Sequence, residues 1–213
     1  MSDAKYVGFN GKAYAFIGTS IRGLARHSPF SANAVTVVSL LLWLIACASI
    51  LVDQWGVAIG LGIVASFGDG FDGAIAREQG QQGPKGSFLD FYADRLGDVA
   101  VFAALAYRFS DDKWIFVAAL LNVGVTQFSS MFRNGVKMPE GFVRETGIGA
   151  LAKAFPALNL RRGIAGGGLL FSVLFGTTLP LSIALWVVAS WCLLVFAMLY
   201  VKVMRAEVTV DGE

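Results

Sequence analysis

Two pairs of aspartates lie inside or at the edge of strongly apolar sequence, and this placement constrains the fold more than any other feature. Asp69 and Asp72 lie near the end of one apolar run, and Asp90 and Asp94 lie near the start of the next. On membrane-insertion scales a charged aspartate at the centre of a helix costs roughly 2.5–3.5 kcal/mol. Four unpaired aspartates could cancel the insertion energy of the helices that carry them. A chain that keeps them therefore needs something to compensate their charge, and bound cations are the obvious candidate.

Composition indicates the class of fold. Of the 213 residues, 56% are hydrophobic and only 15% are charged. Several apolar runs reach the length of about 20 residues that a bilayer-spanning helix needs. We therefore predict an all-α integral membrane protein with six transmembrane helices in one domain over residues 34–203, followed by a tail over 204–213. The predicted spans are Ala34–Val52, Trp55–Arg77, Gly86–Tyr107, Trp114–Phe132, Gly163–Phe175 and Leu181–Val203.

The segment before the first span has the pattern of an amphipathic helix over residues 12–27. Its apolar positions recur at spacings of three and four: Tyr14, Ile17, Ile21 and Leu24. Cations lie on the other side of this helix, which is typical of a helix in the membrane interface. A cytosolic helix packed on the domain is the alternative. Residues 1–33 are thus predicted to form a cytosolic terminus and an amino-terminal amphipathic interfacial helix.

The distribution of basic residues predicts the orientation in the membrane. With six spans, both termini lie on one side together with the loop over 78–85 and the connection over 133–162. The opposite side has only Arg108 and Lys113 in its loops. Because cytoplasmic loops carry an excess of lysine and arginine, both termini and the mouth of the aspartate cluster are predicted to be cytosolic. The cations on that side are Lys5, Lys12, Arg22, Arg26, Arg77, Lys85, Arg133, Lys137, Arg144, Lys153, Arg161, Arg162, Lys202 and Arg205.

Helical spacing predicts that the four aspartates face one another. Asp69 and Asp72 are three residues apart and Asp90 and Asp94 are four apart, so each pair shares one helix face. The short loop between the two spans makes them antiparallel neighbours. Carboxylate oxygens suit hard cations such as magnesium or manganese, and two divalent ions would balance four negative charges. Such ions attract a diphosphate. The alternatives are a structural ion-pair network and a divalent-cation transporter, since intramembrane acids occur in both.

Small residues beside the aspartates predict room for a substrate. Gly73, Ala76 and Gly86 leave a recess where a flat or bulky group can approach the backbone. Arg77 supplies a fork-shaped donor that suits phosphate at the same end of the helix. Metals, a diphosphate and a cavity at the lipid interface together suggest phosphoryl transfer on a lipid anhydride.

The full pattern is Asp69-x-x-Asp72-Gly73-x-x-Ala76-Arg77, eight residues, Gly86-x-x-x-Asp90-x-x-x-Asp94, and it resembles the signature of the CDP-alcohol phosphotransferase family. The six-span layout and the amphipathic amino-terminal helix also fit this family. The family often has Pro-Asn-x-x-Thr at the start of its first span. This chain keeps the asparagine and the threonine, as Asn33 and Thr36, and has Ala32 in place of the proline.

The resemblance implies a homodimeric enzyme that moves a phosphatidyl-type group from a CDP-linked lipid, such as CDP-diacylglycerol, to an alcohol and releases CMP. It implies that two ions, Mg²⁺ or Mn²⁺, are held by Asp69, Asp72, Asp90 and Asp94. Asp94 would also be the catalytic base for the attacking hydroxyl. The nucleotide would be bound by Gly73, Ala76, Arg77 and Gly86. The expected location is a bacterial or archaeal cell membrane, and no nucleic-acid partner is expected.

The basic connection predicts where the acceptor alcohol enters. If the acceptor is phosphorylated, two or three of its cations would converge on the phosphate, and the candidates are Arg133, Arg144 and Lys153. The alternative is that these cations anchor the protein to anionic lipid. The runs Phe128-Ser-Ser-Met-Phe-Arg133 and Phe142-Val-Arg144-Glu145 resemble the phosphatidylinositol-phosphate synthase branch. This resemblance implies inositol phosphate as the acceptor, with glycerol 3-phosphate or serine as alternatives.

Two further predictions concern residues near the cluster. Asp98 continues the face of Asp94 one turn deeper, and we predict that it pairs within the bundle and does not bind metal. We assign no chemistry to the tryptophans, which are predicted to pack or to lie at the headgroup level. These tryptophans are Trp43, Trp55, Trp114, Trp186 and Trp191.

Overall fold

The computed structural model describes residues 22–135 and 161–205. These ranges contain six long helices and no strand, which confirms the all-α class for this part of the chain. The helices are α1 (Ala32–Leu51), α2 (Trp55–Glu78), α3 (Pro84–Arg108), α4 (Lys113–Gly135), α5 (Arg161–Phe175) and α6 (Leu179–Arg205). Residues 22–26 are also helical and belong to the predicted amphipathic helix over 12–27, whose earlier residues lie outside the described part of the chain.

Local sequence explains where α1 begins and α2 ends. Ser31 has extended backbone angles, and its Oγ accepts a hydrogen bond of 3.2 Å from the N–H of Ala34, so it caps α1. At the end of α2, Gly80 has φ +66°, a left-handed conformation that glycine adopts without strain. The N–H of Gln81 then donates to the carbonyl of Ala76 at 2.9 Å, which is the Schellman pattern of a helix end.

Two of the described helices, α1 and α2, are long and apolar enough to cross a membrane. Within their most apolar stretches only 39% and 28% of the residues are buried. The core helix of a soluble protein would be mostly buried, so the exposed apolar sides of α1 and α2 require lipid or another apolar surface. Spans for the other four helices remain a prediction.

Helix packing places the polar end of the bundle. Helix α1 packs on α2 and α3, α4 packs on α3 and α6, and α5 packs on α6 and also contacts α2 and α3. A Cβ atom added to Gly168 would lie 2.6 Å from the Cβ of Ala184, so α5 and α6 cross at close range there. This crossing holds the first turn of α5 beside α2 and α3.

One boundary differs from the prediction in a way that matters for function. We predicted that the fifth span begins at Gly163 and assigned Arg161 and Arg162 to the basic connection, but α5 begins at Arg161. Both arginines therefore lie in the first turn of a packed helix, where Arg161 is buried with 6% of its surface exposed. Arg133 lies in α4, but its side chain is outside the described part of the structure, as are all of Arg144 and Lys153.

Candidate active site

The structure brings the four predicted aspartates together between α2 and α3. Asp69 and Asp72 lie in the last three turns of α2, and Asp90 and Asp94 lie in the first three turns of α3. The charges of Asp90 and Asp94 both act on Asp69, and the charges of Asp69 and Asp90 act on Asp72. Their mutual repulsion makes this end of the bundle a place that attracts cations.

Asp72 is the buried member of the cluster, and its orientation is fixed from two sides. Only 4% of its surface is exposed. The hydroxyl of Thr36 on α1 donates to Asp72 Oδ2 at 2.5 Å, and the N–H of Gly73 donates to Asp72 Oδ1 at 2.5 Å. Hydrogen bonds of this charge-assisted kind are short and strong, so Thr36 acts as a positioning residue for this carboxylate.

Arg162 lies at the centre of the carboxylates. Its Nη2 atom is 2.5 Å from Asp94 Oδ1 and 3.2 Å from Asp69 Oδ2, and its Nε is 3.2 Å from Asp98 Oδ1. The guanidinium also stacks on the ring of Trp43, 4.8 Å from the ring centroid. Planar stacking and several donors suit arginine and would not suit lysine. The first turn of α5 thereby links the aspartates of α2 and α3.

Trp43, which was predicted to pack, does so beside the aspartates and contacts two members of this arrangement. Its Nε1–H donates to Asp69 Oδ2 at 3.3 Å, and its ring carries the Arg162 guanidinium. A Cβ atom on Gly62 would lie 3.3 Å from this ring, so the absence of a side chain there lets the indole lie flat against α2.

Below the site, Asp98 forms a buried ion-pair network, which confirms the prediction that it pairs within the bundle. Only 2% of its side chain is exposed. Arg161 Nη2 lies 2.6 Å from Asp98 Oδ2, Arg95 Nη2 lies 3.4 Å from the same oxygen, and Arg162 approaches Asp98 Oδ1. A buried carboxylate with partners on both oxygens holds the arginines, including Arg162, at a fixed height in the bundle.

The donor chemistry of the cluster fits hard divalent cations. Its oxygens come from carboxylates on two facing helices, and a guanidinium already lies between Asp69 and Asp94, which shows that the position favours positive charge. The described residues contain no group of three or more acidic, histidine or cysteine side chains close enough to form a ready-made metal site. Asp69 and Asp94 pair with Arg162 instead, so metal binding there requires this guanidinium to move aside.

A polar cavity of about 320 Å³ opens beside the aspartates. It is lined by the residues that were predicted to bind nucleotide and by two of the aspartates: Gly73, Ala76, Arg77, Gly86, Asp72 and Asp90. A Cβ atom added to Gly86 would lie 3.2 Å from the Asn33 Oδ1 atom, so a side chain there would crowd the cavity wall. The predicted recess is therefore present. Its further walls include Asn33, Thr36, Gln81 and Gln82.

A second cavity of about 250 Å³ is apolar and starts at Arg162. Residues of α1, α2, α3 and α5 line it, and its lining residues Ile63 of α2 and Leu170 of α5 are 51% and 37% exposed. Three glycines of α5, Gly163, Gly166 and Gly167, form one wall, and a Cβ atom at any of them would meet nothing within 4 Å. The polar cavity is bordered by Asp72 and Asp90, whereas the apolar cavity reaches Arg162, which pairs with Asp69 and Asp94.

A family model described as CDP-alcohol phosphatidyltransferase matches residues 30–199 of the chain. The match covers the aspartates, both cavities and all of α1 through α5. The chain belongs to the CDP-alcohol phosphatidyltransferase family. This membership confirms the resemblance seen in the aspartate signature. It also agrees with the apolar helices α1 and α2, because CDP-alcohol phosphatidyltransferases are integral membrane proteins.

Individual relatives agree with the family. The chain is 36% identical over 98 residues to a protein named bifunctional IPC transferase and DIPP synthase from Thermococcus kodakarensis. That match covers 46% of this chain and only 22% of the relative's length. Among solved structures, the chain is similar to the phosphatidylinositol phosphate synthase of Mycobacterium tuberculosis with CDP-DAG bound, with a TM-score of 0.68 and 20% identity over 93% of this chain and 98% of that chain. The same synthase in complex with manganese and citrate gives a TM-score of 0.68 and 21% identity, over 92% of both chains. These likenesses show a shared fold.

Three residues that contact the aspartates had no predicted role or a different one, and they are Thr36, Arg162 and Trp43. Thr36 was visible in the family's Asn-x-x-Thr pattern, but the pattern does not say that its hydroxyl binds Asp72. Arg162 looked like one of many cytosolic cations, and Trp43 looked like one of several packing aromatics. Both contacts join distant parts of the chain, so local periodicity carries no signal for them.

Proposed function

We propose that this protein is a metal-dependent enzyme that transfers a phosphatidyl-type group from a CDP-linked lipid, with CDP-diacylglycerol as the model donor, to an alcohol. The observation that carries the proposal is the polar cavity itself: Asp72 and Asp90 share its walls with Gly73, Gly86 and Arg77. Carboxylates, a guanidinium and backbone without side chains therefore surround one space that suits a nucleotide. Family membership and the relative solved with CDP-DAG support the same donor.

The residues divide the chemistry among them. Asp94 accepts the proton of the acceptor hydroxyl as its oxygen forms a bond to phosphorus, and the anhydride bond to CMP breaks. Arg77 faces the nucleotide end of the donor, where its guanidinium suits phosphate oxygens. The metal ligands are Asp69, Asp72, Asp90 and Asp94, and the proposed ions are two Mg²⁺ or Mn²⁺. Such ions, when bound, polarise a phosphoryl group and offset the charge of a leaving phosphate. The relative solved with manganese and citrate supports a divalent metal.

An activity assay tests this proposal directly. Purified protein in detergent, given labelled CDP-diacylglycerol and an acceptor, is expected to release CMP with Mg²⁺ or Mn²⁺ and to stop when EDTA is added. Release that is unaffected by EDTA would refute the metal requirement. Manganese flux into proteoliposomes without any CMP release would instead support a divalent-cation transporter.

The hydroxyl of Thr36 provides a test of metal binding that does not depend on activity. Thr36→Val keeps the shape of the side chain but removes the 2.5 Å hydrogen bond to Asp72. Outer-shell partners of this kind typically contribute 10–100-fold to metal affinity, so we expect the Kd for Mn²⁺ to rise by about tenfold or more. Electron paramagnetic resonance titration measures this Kd. Thr36→Ser, which retains the hydroxyl, is the control, and equal affinity in all three proteins would contradict the assigned role.

The apolar cavity suits a hydrocarbon chain of the donor. It begins at Arg162, beside the carboxylates, and reaches exposed apolar residues at its outer edge, Ile63 and Leu170. A lipid whose headgroup lies at the aspartates can therefore extend a chain between α2 and α5. The glycines of α5 make this space, because any larger residue on that wall would fill it.

Filling the cavity is expected to weaken use of the lipid donor. Gly166→Leu places a side chain where a Cβ atom meets nothing within 4 Å, so the fold tolerates it while the cavity closes. We expect kcat/KM for CDP-diacylglycerol to fall about tenfold or more, with the Kd for CMP unchanged, since the proposed nucleotide cavity is separate. Gly60→Leu is the matched control, because Gly60 is exposed on α2 outside the cavity and a Cβ there also meets nothing. Equal kcat/KM in the two variants would refute this placement of the chain.

For the acceptor we propose inositol phosphate, bound by cations of the connection: Arg133, Arg144 and Lys153. The resemblance of the runs ending at Arg133 and Glu145 supports this choice, as does the shared fold with a phosphatidylinositol phosphate synthase. An acceptor panel tests it: CMP release should be fastest with inositol phosphate, and faster release with glycerol 3-phosphate or serine would assign one of those instead.

The arrangement in the membrane completes the proposal. We propose six spans over residues 34–203, the catalytic domain, with both termini and the mouth of the polar cavity in the cytosol of a bacterial or archaeal cell, and a homodimer as the working form. The amphipathic segment over 1–33 would lie on the lipid surface, and 204–213 would be a cytosolic tail. Chemical cross-linking in membranes that gives only monomer would refute the dimer.

A further inference from the structure

Two glutamine side chains fasten separate segments of the chain together at the rim of the polar cavity. Gln79 Nε2 donates to the carbonyls of Ala25 and Ser28, at 2.9 and 2.8 Å. Gln81 Nε2 donates to Gln79 Oε1 at 2.6 Å, and Gln81 Oε1 accepts from the N–H of Ala32 at 2.8 Å. We call Gln79, Gln81 and these four hydrogen bonds the glutamine clasp.

The backbone explains how both side chains reach the same segment. The left-handed conformation of Gly80 turns the chain sharply between the two glutamines, and the Gln81 N–H closes the turn on Ala76. The N–H of Ala32 is one of the first in α1 and has no partner within the helix, so the Gln81 side chain supplies it. The clasp thus joins the first turn of α1, where N–H groups lack partners within the helix, to the capped carboxyl end of α2.

Its position links the segment before α1 to the cavity. Gln81 and Ala32 line the polar cavity, together with Ala76 and Arg77 of α2. On the other side, Ala25 is fully buried in a small apolar cluster with Ala32, Ala74 and Ile75. Residues 25–28 therefore touch the same part of α2 that carries the predicted nucleotide-binding residues, although they contribute nothing to the cavity lining.

We propose that the glutamine clasp positions the nucleotide end of the donor, by holding the turn after Arg77 and the first turn of α1 at a fixed separation. This inference rests on the proposed function of the polar cavity. Gln79 and Gln81 act through the backbone they hold and do not touch the reacting phosphorus, so they are positioning residues. The clasp makes residues 25–28, before α1, a working part of the nucleotide site.

Gln79→Glu tests the link to residues 25–28 with almost no change in shape. The new carboxylate still accepts from Gln81, but it cannot donate to the two carbonyls and places an oxygen against them. Loss of the two hydrogen bonds that hold the turn is expected to raise both the KM for the donor and the Kd for CMP about tenfold. The kcat should stay within about twofold of the wild-type value, because the aspartates keep their contacts.

The control is the same chemical change at the opposite end of α2. Gln54→Glu alters a residue whose side chain makes no capping hydrogen bond, so its KM and CMP Kd should match the wild type. Unchanged KM and Kd in Gln79→Glu would overturn the proposal. A fall in kcat at constant KM would also overturn it, since that pattern belongs to a disturbed catalytic centre.

Hydrogen exchange measures the hydrogen bonds of the clasp without any substrate. The clasp itself and its role in donor binding can therefore be refuted separately. In Gln81→Met the Ala32 amide loses its acceptor, and its exchange is expected to become at least about tenfold faster than in the wild type. Unchanged exchange would overturn the clasp even if the enzyme is active. If exchange responds but wild-type protein neither binds CMP nor releases it, the proposed function falls, and the donor role of the clasp falls with it.

Discussion

Asp94→Asn is expected to lower the rate of CMP release by roughly 10²–10⁴-fold, the usual contribution of a general base. The amide keeps the size of the side chain but cannot accept the proton of the attacking hydroxyl. At 37% exposure the Asp94 side chain is accessible to an acceptor, and it would be free to take the proton once Arg162, which pairs with its Oδ1 at 2.5 Å, has moved aside. The measurement is a single-turnover assay with labelled CDP-diacylglycerol. Asp111→Asn, a change at an exposed aspartate in the turn before α4, is the matched control.

Metal titration separates the two roles proposed for Asp94. If the residue acts mainly as the base, Asp94→Asn should bind Mn²⁺ with nearly wild-type affinity although it releases almost no CMP. A parallel loss of metal binding and activity would make Asp94 a ligand whose contribution to proton transfer is minor. CMP release at the wild-type rate would refute both roles.

Asp98→Asn is expected to destabilise the protein by about 3–5 kcal/mol, the typical effect of breaking a buried ion pair from one side. In the wild type, Arg161 Nη2 lies 2.6 Å from Asp98 Oδ2. Because asparagine carries no charge, the buried guanidinium of Arg161 would lose its counterion. Arg162 would lose its contact with Asp98 Oδ1 as well, so activity should fall together with stability. Thermal unfolding in detergent micelles measures the effect.

An exposed ion pair at the opposite end of α2 and α3 supplies the control. Asp53 pairs with Arg108 at 2.6 Å, but 51% of the Asp53 side chain is exposed. Solvent screens such a pair, so Asp53→Asn should change stability by no more than about 1 kcal/mol. Asp53 also has φ 61°, a conformation that asparagine tolerates well, so the backbone adds no penalty. Equal shifts in the two variants would contradict a special role for the buried network.

Local sequence was sufficient for the part of the site that lies on α2 and α3. Spacings of three and four residues place Asp69 with Asp72, and Asp90 with Asp94, on single helix faces, and a short loop makes those faces neighbours. The recess at Gly73 and Gly86 follows from the same geometry. The structure brings these residues together as predicted, since each position depends only on helical periodicity and one turn.

Contacts that arise from packing between distant helices could not be predicted in the same way. Arg162 is 68 residues from Asp94, and Arg161 is 63 residues from Asp98. In the sequence both arginines extend a basic connection, where cations usually face anionic lipid. The first turn of α5 is held against the aspartates by these ion pairs and by contacts of α5 with α2, α3 and α6. The glutamine clasp was missed because glutamines in a polar loop carry no periodic signal.

A polar cavity lies beside Asp72 and Asp90, and an apolar cavity lies beside Arg162, which pairs with Asp69 and Asp94. These two spaces on different sides of the aspartates have a consequence for what happens after bond cleavage. The polar cavity is bounded by exposed glutamines, Gln81 and Gln82, whereas the apolar cavity is bounded by exposed Ile63 and Leu170. In the proposed reaction, CMP would leave into water and the new lipid would diffuse into the bilayer. Because the two products enter different phases, each would leave through its own opening. Release of one would then not have to wait for the other, and no moving lid is needed to separate them.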